Sequence, residues 1–208
     1  MGWKTALIII NKPSKVNHEE LLKDIGIKRF CKSADSTFDN MIGLFTSRIY
    51  IGEYRDNLII YEWGLVERII EKDDKDSEKL LTKKFPDSEI CVIELVSTVG
   101  FWGYKVFDKG KLIRHRAGDS EKGTYIDSGT PLDEERELLS KSSIDGSGHR
   151  LYKFDDQTDE VLSEDQVGEN FVFEICRRYF GESLDTAEHL LYYTNFVGYR
   201  KKAWWRFW

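Results

Sequence analysis

EICVIELVSTVGFWGYKVFDKGKLIRHRAGD, residues 89–119, decides the fold class. It holds three runs rich in Val, Ile, Leu and aromatic residues, joined by the short connections STVG and DKGK. Runs of this length and composition read as strands, and joints this short make them antiparallel neighbours. Within FDKGK, Asp108 suits the start of a tight turn and Gly110 can take the positive φ of the return. The stretch therefore predicts an antiparallel meander over 89–117. Strand parity places Leu112, Arg114 and Arg116 on one face and Ile113, His115 and Ala117 on the other.

The flanking sequence supplies helices and further strands. KTALIII (4–10) is a β-branched run that reads as a buried strand. NHEELLKDIG (17–26) is a helix signature: Asn17 as cap, Leu21, Leu22 and Ile25 as one apolar stripe, Gly26 as stop. SRIYIGEYRDNLIIY (47–61) predicts two strands around a YRDN turn. Leu65, Val66, Ile69 and Ile70 have helical spacing, and DSEKLLTKKFP (76–86) predicts a short helix ended by Pro86. In TPLDEERELLS (130–140), Thr130 is a candidate cap, Pro131 fits the first helical position and Asp133 complements the helix dipole. SEDQVGENFVFEICRRYFG (163–181) predicts the best helix: Ser163 and Gln166 form a capping box, Val167, Phe171, Ile175 and Tyr179 recur every fourth residue, and Gly181 closes it. The end, LLYYTNFVGYRKKAWWRFW (190–208), reads equally as strand or helix. The expected fold is α+β, a mostly antiparallel sheet with several helices packed on it. It forms one globular domain over 1–208 with an acidic, loop-rich elaboration at about 118–170.

Bulk properties narrow the function classes. The chain has 208 residues, 40% hydrophobic and 33% charged, with a mean hydropathy of -0.49. These values fit a solvated globular protein. No run approaches the length of a membrane span, and ALIII is too short for a signal-peptide core, so a cytoplasmic protein is expected. Cys31, Cys91 and Cys176 are an odd number set among apolar neighbours, which points to free buried thiols. The formal charge of -6 is uneven: residues 118–170 carry fifteen Asp and Glu against five Lys and Arg, a net -10. That acidity disfavours nucleic-acid binding and would steer a basic partner.

Catalytic signatures are absent. The four histidines, His18, His115, His149 and His189, include no closely spaced pair for a metal. DDQTDE (155–160) departs from a calcium loop by having Glu160 in sixth place and Gln166 in twelfth. There is no GxSxG, Walker or GxGxxG motif, so no cofactor and no metal are expected. The most interesting polar cluster is RHRAGDSEKG (114–123). Arg114 and Arg116 could clamp an anion, and His115 with Asp119 could move a proton. Parity turns His115 away from the arginines, and a structural salt-bridge face is the favoured reading.

MGWKTALIII at the start, VSTVGFWGYKVFDKGKLIRHRAGD with DSGTPL, and FGE with FVGYR together resemble an uncharacterised bacterial family whose members begin Met-Gly-x-Lys-Thr-Ala-Leu. The resemblance spans most of the chain but brings no activity or catalytic residue with it. This chain departs from it by running past Gly198-Tyr199-Arg200 into KKAWWRFW. In that tail a strand would put Trp204, Arg206 and Trp208 on a face open to a partner, with Trp205 and Phe207 packed on the protein's own core. The leading functional expectation is a non-catalytic protein-binding module, an inhibitor or immunity-type protein with a basic partner. The competing one is a small enzyme or small-anion binder built on Arg114, His115, Arg116 and Asp119.

Overall fold

The meander occupies one half of a ten-stranded antiparallel sheet. We describe the fold from a computed structural model, which describes residues 2–43, 47–148, 150–155 and 160–202. In chain order the elements are β1 (Lys4–Asn11), α1 (His18–Asp24), β2 (Phe30–Lys32), β3 (Ser36–Thr37), β4 (Arg48–Tyr54), β5 (Asn57–Tyr61), α2 (Trp63–Ile70), α3 (Lys75–Lys84), β6 (Glu89–Val96), β7 (Phe101–Asp108), β8 (Lys111–Asp119), β9 (Gly123–Gly129), α4 (Asp133–Ser140), β10 (Ser142–Ile144), β11 (Arg150–Tyr152), β12 (Leu162–Ser163), α5 (Glu164–Phe180) and β13 (Asn195–Lys201). The sheet order is β2-β13-β4-β5-β1-β6-β7-β8-β9, with β3 alongside β13. β10, β11 and β12 form a second, small sheet. The fold class is α+β.

Helices cover both faces of the large sheet, which explains why its central strands are apolar without alternation. β1 and β6 are buried along nearly their whole length. A strand covered on both sides needs apolar residues at every position, and ALIII and ICVI meet that requirement. α2 packs on β1, β6 and β7, and α3 is tied to α1 through Lys84 and Asp24 at 2.6 Å. The opposite face carries α4 and α5, where Trp102 of β7 stacks on Phe171 of α5 with centroids 6.0 Å apart.

Local signals govern most boundaries. Asn17 accepts hydrogen bonds from the Glu19 and Glu20 amides, and the DKGK turn puts Lys109 and Gly110 at positive φ. α5 has its capping box and ends on Gly181 at φ 71°. Gly168, inside α5, was not singled out by the periodicity. A Cβ there would collide with the Trp102 indole nitrogen, so glycine lets the helix lie against the ring. The helix accepts an intrinsic propensity cost of about 1 kcal/mol for this contact.

Three features differ from the sequence reading. α4 begins at Asp133, because Leu132 is held extended (φ -78°, ψ 163°) with its side chain on the core, so Thr130 and Pro131 lie before the helix. β9 and the small sheet emerge from the stretch read as acidic loops. β9 folds back on β8 through the Asp119–Gly123 turn, and β10 pairs with β11 across residues 145–149. The ambiguous end resolves into a π-helical turn, His189–Tyr193, followed by β13, which inserts between β2 and β4. The aromatic tail beyond Lys202, including Trp204, Arg206 and Trp208, lies outside the described residues. No helix among the described residues is long and apolar enough to cross a membrane.

Candidate functional site

Cross-strand register sets the polar cluster. Tyr104 pairs with Arg116, Lys105 with His115 and Val106 with Arg114, while Asp127 of β9 sits opposite Arg116. Residues directly opposite each other share a face. Arg114, Arg116, Tyr104 and Asp127 therefore face α4 and α5, and His115 with Lys105 faces α2 and α3.

Both arginines are withdrawn from solvent and engaged by carboxylates. Arg114, 1% exposed, donates from Nε to Glu135 Oε1 at 2.8 Å and from Nη2 to Glu135 Oε2 at 2.7 Å. Its Nη1 meets Asp127 at 2.5 Å and donates to the Ser128 carbonyl at 3.1 Å. Burial works against the Arg114 charge, and Glu135 more than offsets it, leaving the group even harder to deprotonate than usual. Arg116 is fully buried and donates from Nη2 to Glu164 at 2.8 Å and to the Tyr152 hydroxyl at 3.3 Å. Its guanidinium lies 3.9 Å from the Phe171 ring centre. This is the stacked geometry that a planar, weakly hydrated cation favours. Among the described residues Arg116 Nε and Nη1 have no hydrogen-bond acceptor, Nε lying 3.7 Å from Asp127.

His115 and Asp119 occupy other places. His115 is 7% exposed and lies beside Lys105, whose buried ammonium donates to the Ile69 carbonyl, Asp73 and Glu78 at 2.8, 2.6 and 2.7 Å. Burial first, then the Lys105 charge, pushes the His115 pKa down to about 4. Hydrogen bonds from Lys105 and Lys75 hold the Asp73 carboxyl down at about 2. Asp119 accepts from the Glu121 and Lys122 amides at 2.9 and 2.7 Å and so shapes the β8–β9 turn. The structure brings Arg114 and Arg116 together and leaves His115 and Asp119 apart from them.

A cleft of about 540 Å³ opens between the β8–β9 turn and the small sheet. Glu121, Asp127, Asp145, Glu164 and Asp165 line it, against Lys122 and Arg150. Arg150 is held by Ser142 at 2.7 Å and lies 3.7 Å from Glu164. Asp127 and Glu164 thus face the cleft with one side and the buried arginines with the other.

Sequence reasoning missed Lys105, Glu135 and Glu164, the partners that make these charges tolerable. A lysine in the middle of GYKVF was the available signal, since a cation on a buried strand must meet carboxylates. Cys91 and Cys176 are buried free thiols, whereas Cys31 is partly exposed. Among the described residues no group of three or more His, Cys, Asp or Glu is placed to hold a metal. Comparison of the chain with protein-family models, with curated proteins and with solved structures finds no match.

Proposed function

We propose that the protein is a non-catalytic protein-binding module, of inhibitor or immunity type, whose partner is basic. The observation that carries this reading is the cleft, where among the described residues five carboxylates, two of them also engaged by the buried arginines, stand against Lys122 and Arg150. Complementary charge of this kind speeds encounter and rejects acidic competitors. The rival reading, a small enzyme or anion binder, would use Arg114, His115, Arg116 and Asp119. Both guanidiniums are buried and face the three carboxylates Glu135, Asp127 and Glu164, so an entering anion would meet negative charge before it reached either of them.

The test is co-purification at low salt from the source cell, followed by titration calorimetry with the recovered protein. A stoichiometric basic partner is expected, with binding weakened by high salt and by Glu121→Lys with Asp165→Asn. Recovery of no stoichiometric partner, or of one indifferent to both changes, sinks the reading.

A further inference from the structure

The turn leading into β13 leaves two tyrosines in solvent. In His189–Tyr193 the π-helical winding points Leu190 and Leu191 into the core, while Tyr192 and Tyr193 are 52% and 73% exposed. Single π-turns are uncommon and recur at functional sites. The Tyr193 ring is anchored. Tyr193 lies 5.8 Å from His189, His189 stacks on Tyr54 at 5.9 Å, and Tyr54 meets the buried Phe180 edge-on at 5.7 Å. The Tyr54 hydroxyl donates to Glu182 at 2.9 Å, and the same carboxylate holds Arg55 at 3.0 Å. A ladder of rings thus runs from the core to an exposed end. Aromatic groups already ordered in the free protein lose little entropy on binding.

Exposed carboxylates outweigh the cations at this end. Residues 181–199 contain Glu182, Asp185 and Glu188 and no lysine or arginine. Asp39, also exposed, is drawn alongside by its amide, which donates to the Leu191 carbonyl at 2.9 Å. Arg55 is neutralised by Glu182. Glu188 stands four residues before Tyr192, one turn below it on the same side of the helix.

We propose that this tyrosine face docks a protein partner through an arginine side chain, the guanidinium lying on the Tyr193 ring beside Tyr192, with Glu188 and Asp39 as counter-charge. Arginine is the residue that satisfies both conditions, because its planar cation stacks on aromatic faces and pairs with carboxylates. A nucleic acid would bring phosphates against Glu188 and Asp39 and meet repulsion. The proposal rests on the protein-binding reading but uses a surface separate from the cleft, so the two fail separately.

The test uses the full chain with 13C-labelled tyrosine rings, titrated with a Gly-Ser peptide bearing three arginines and with its lysine and uncharged counterparts. The arginine peptide is expected to shift the Tyr192 and Tyr193 ring signals saturably, several-fold more tightly than the lysine peptide. Tyr193→Ala and Tyr193→Leu should both abolish the effect, the second keeping apolar bulk without the ring. Glu121→Lys with Asp165→Asn in the cleft should leave it intact. Equal response to all three peptides, loss only with the cleft variant, or binding to phosphatidylcholine vesicles with no response to the peptides would overturn the proposal. High exposure of Tyr193 means that either variant should keep the wild-type melting temperature.

Discussion

Arg114 and Glu135 form a bidentate pair, Nε to Oε1 at 2.8 Å and Nη2 to Oε2 at 2.7 Å, with each side chain only 1% exposed. The pair joins the sheet to α4. Two desolvated charges repay the loss of water only when both are present and fully hydrogen-bonded.

Removing one partner should therefore cost far more than removing both. Glu135→Ala is expected to lower stability by about 3–5 kcal/mol in urea unfolding, because it takes the acceptor from the buried Arg114 Nε and Nη2 and leaves only the half-exposed Asp127 to balance the charge. Arg114→Met combined with Glu135→Leu should lose much less. If Glu135→Ala falls within about 1 kcal/mol of wild type, the pair is not holding α4 to the sheet.

Gly168→Ala tests the contact between α5 and the sheet. Helix propensity alone predicts a gain of about 1 kcal/mol. The new methyl group would overlap the Trp102 indole, and overpacking of this kind costs about 1–3 kcal/mol. A net loss of melting temperature is expected, partly recovered when Trp102→Phe is added. A more stable Gly168→Ala protein would show that α5 can move off the ring freely.

Two buried groups on the α2–α3 face bound the pH range of stability. His115 is neutral when folded, with its pKa pushed down to about 4 by burial and by Lys105. The unfolded chain binds that proton below about 6.5, so stability falls as pH drops from about 6.5 to about 4, by on the order of 2 kcal/mol. Glu94 behaves oppositely. Burial, followed by the nearby Glu71 charge, keeps its carboxyl protonated well above the usual carboxylate range. The unfolded chain releases that proton, so stability falls as pH rises past the ordinary glutamate value toward the raised one. Glu94→Gln should remove this alkaline-side slope and raise stability at neutral pH by about 2 kcal/mol. Denaturant titrations at several pH values check both slopes, and a Glu94→Gln protein with the wild-type slope contradicts the assignment.

Legibility in the sequence followed the range of the interaction. The meander, the cap at Asn17, the turn at Lys109–Gly110 and the whole of α5 were readable because residues within four or five positions decide them. β9 escaped notice because GTYIDSG is short, polar and half-exposed, and only its ladder with β8 makes it a strand. Strand parity separates His115 from the two arginines, as the register shows. It could not supply Glu135 and Glu164, which lie 21 and 48 residues along the chain from the arginines they hold.

Sequence alone was enough for an antiparallel α+β fold, for the burial of Cys91 and Cys176 though not of the partly exposed Cys31, and for the concentration of negative charge in residues 118–170. Each of these follows from local pattern or from composition. Tertiary structure alone decided which carboxylates neutralise Arg114, Arg116 and Lys105, and it decided that HLLYY turns its leucines inward and its tyrosines out. Burial and pairing depend on which distant segments the sheet brings side by side, and no short window of residues contains that information.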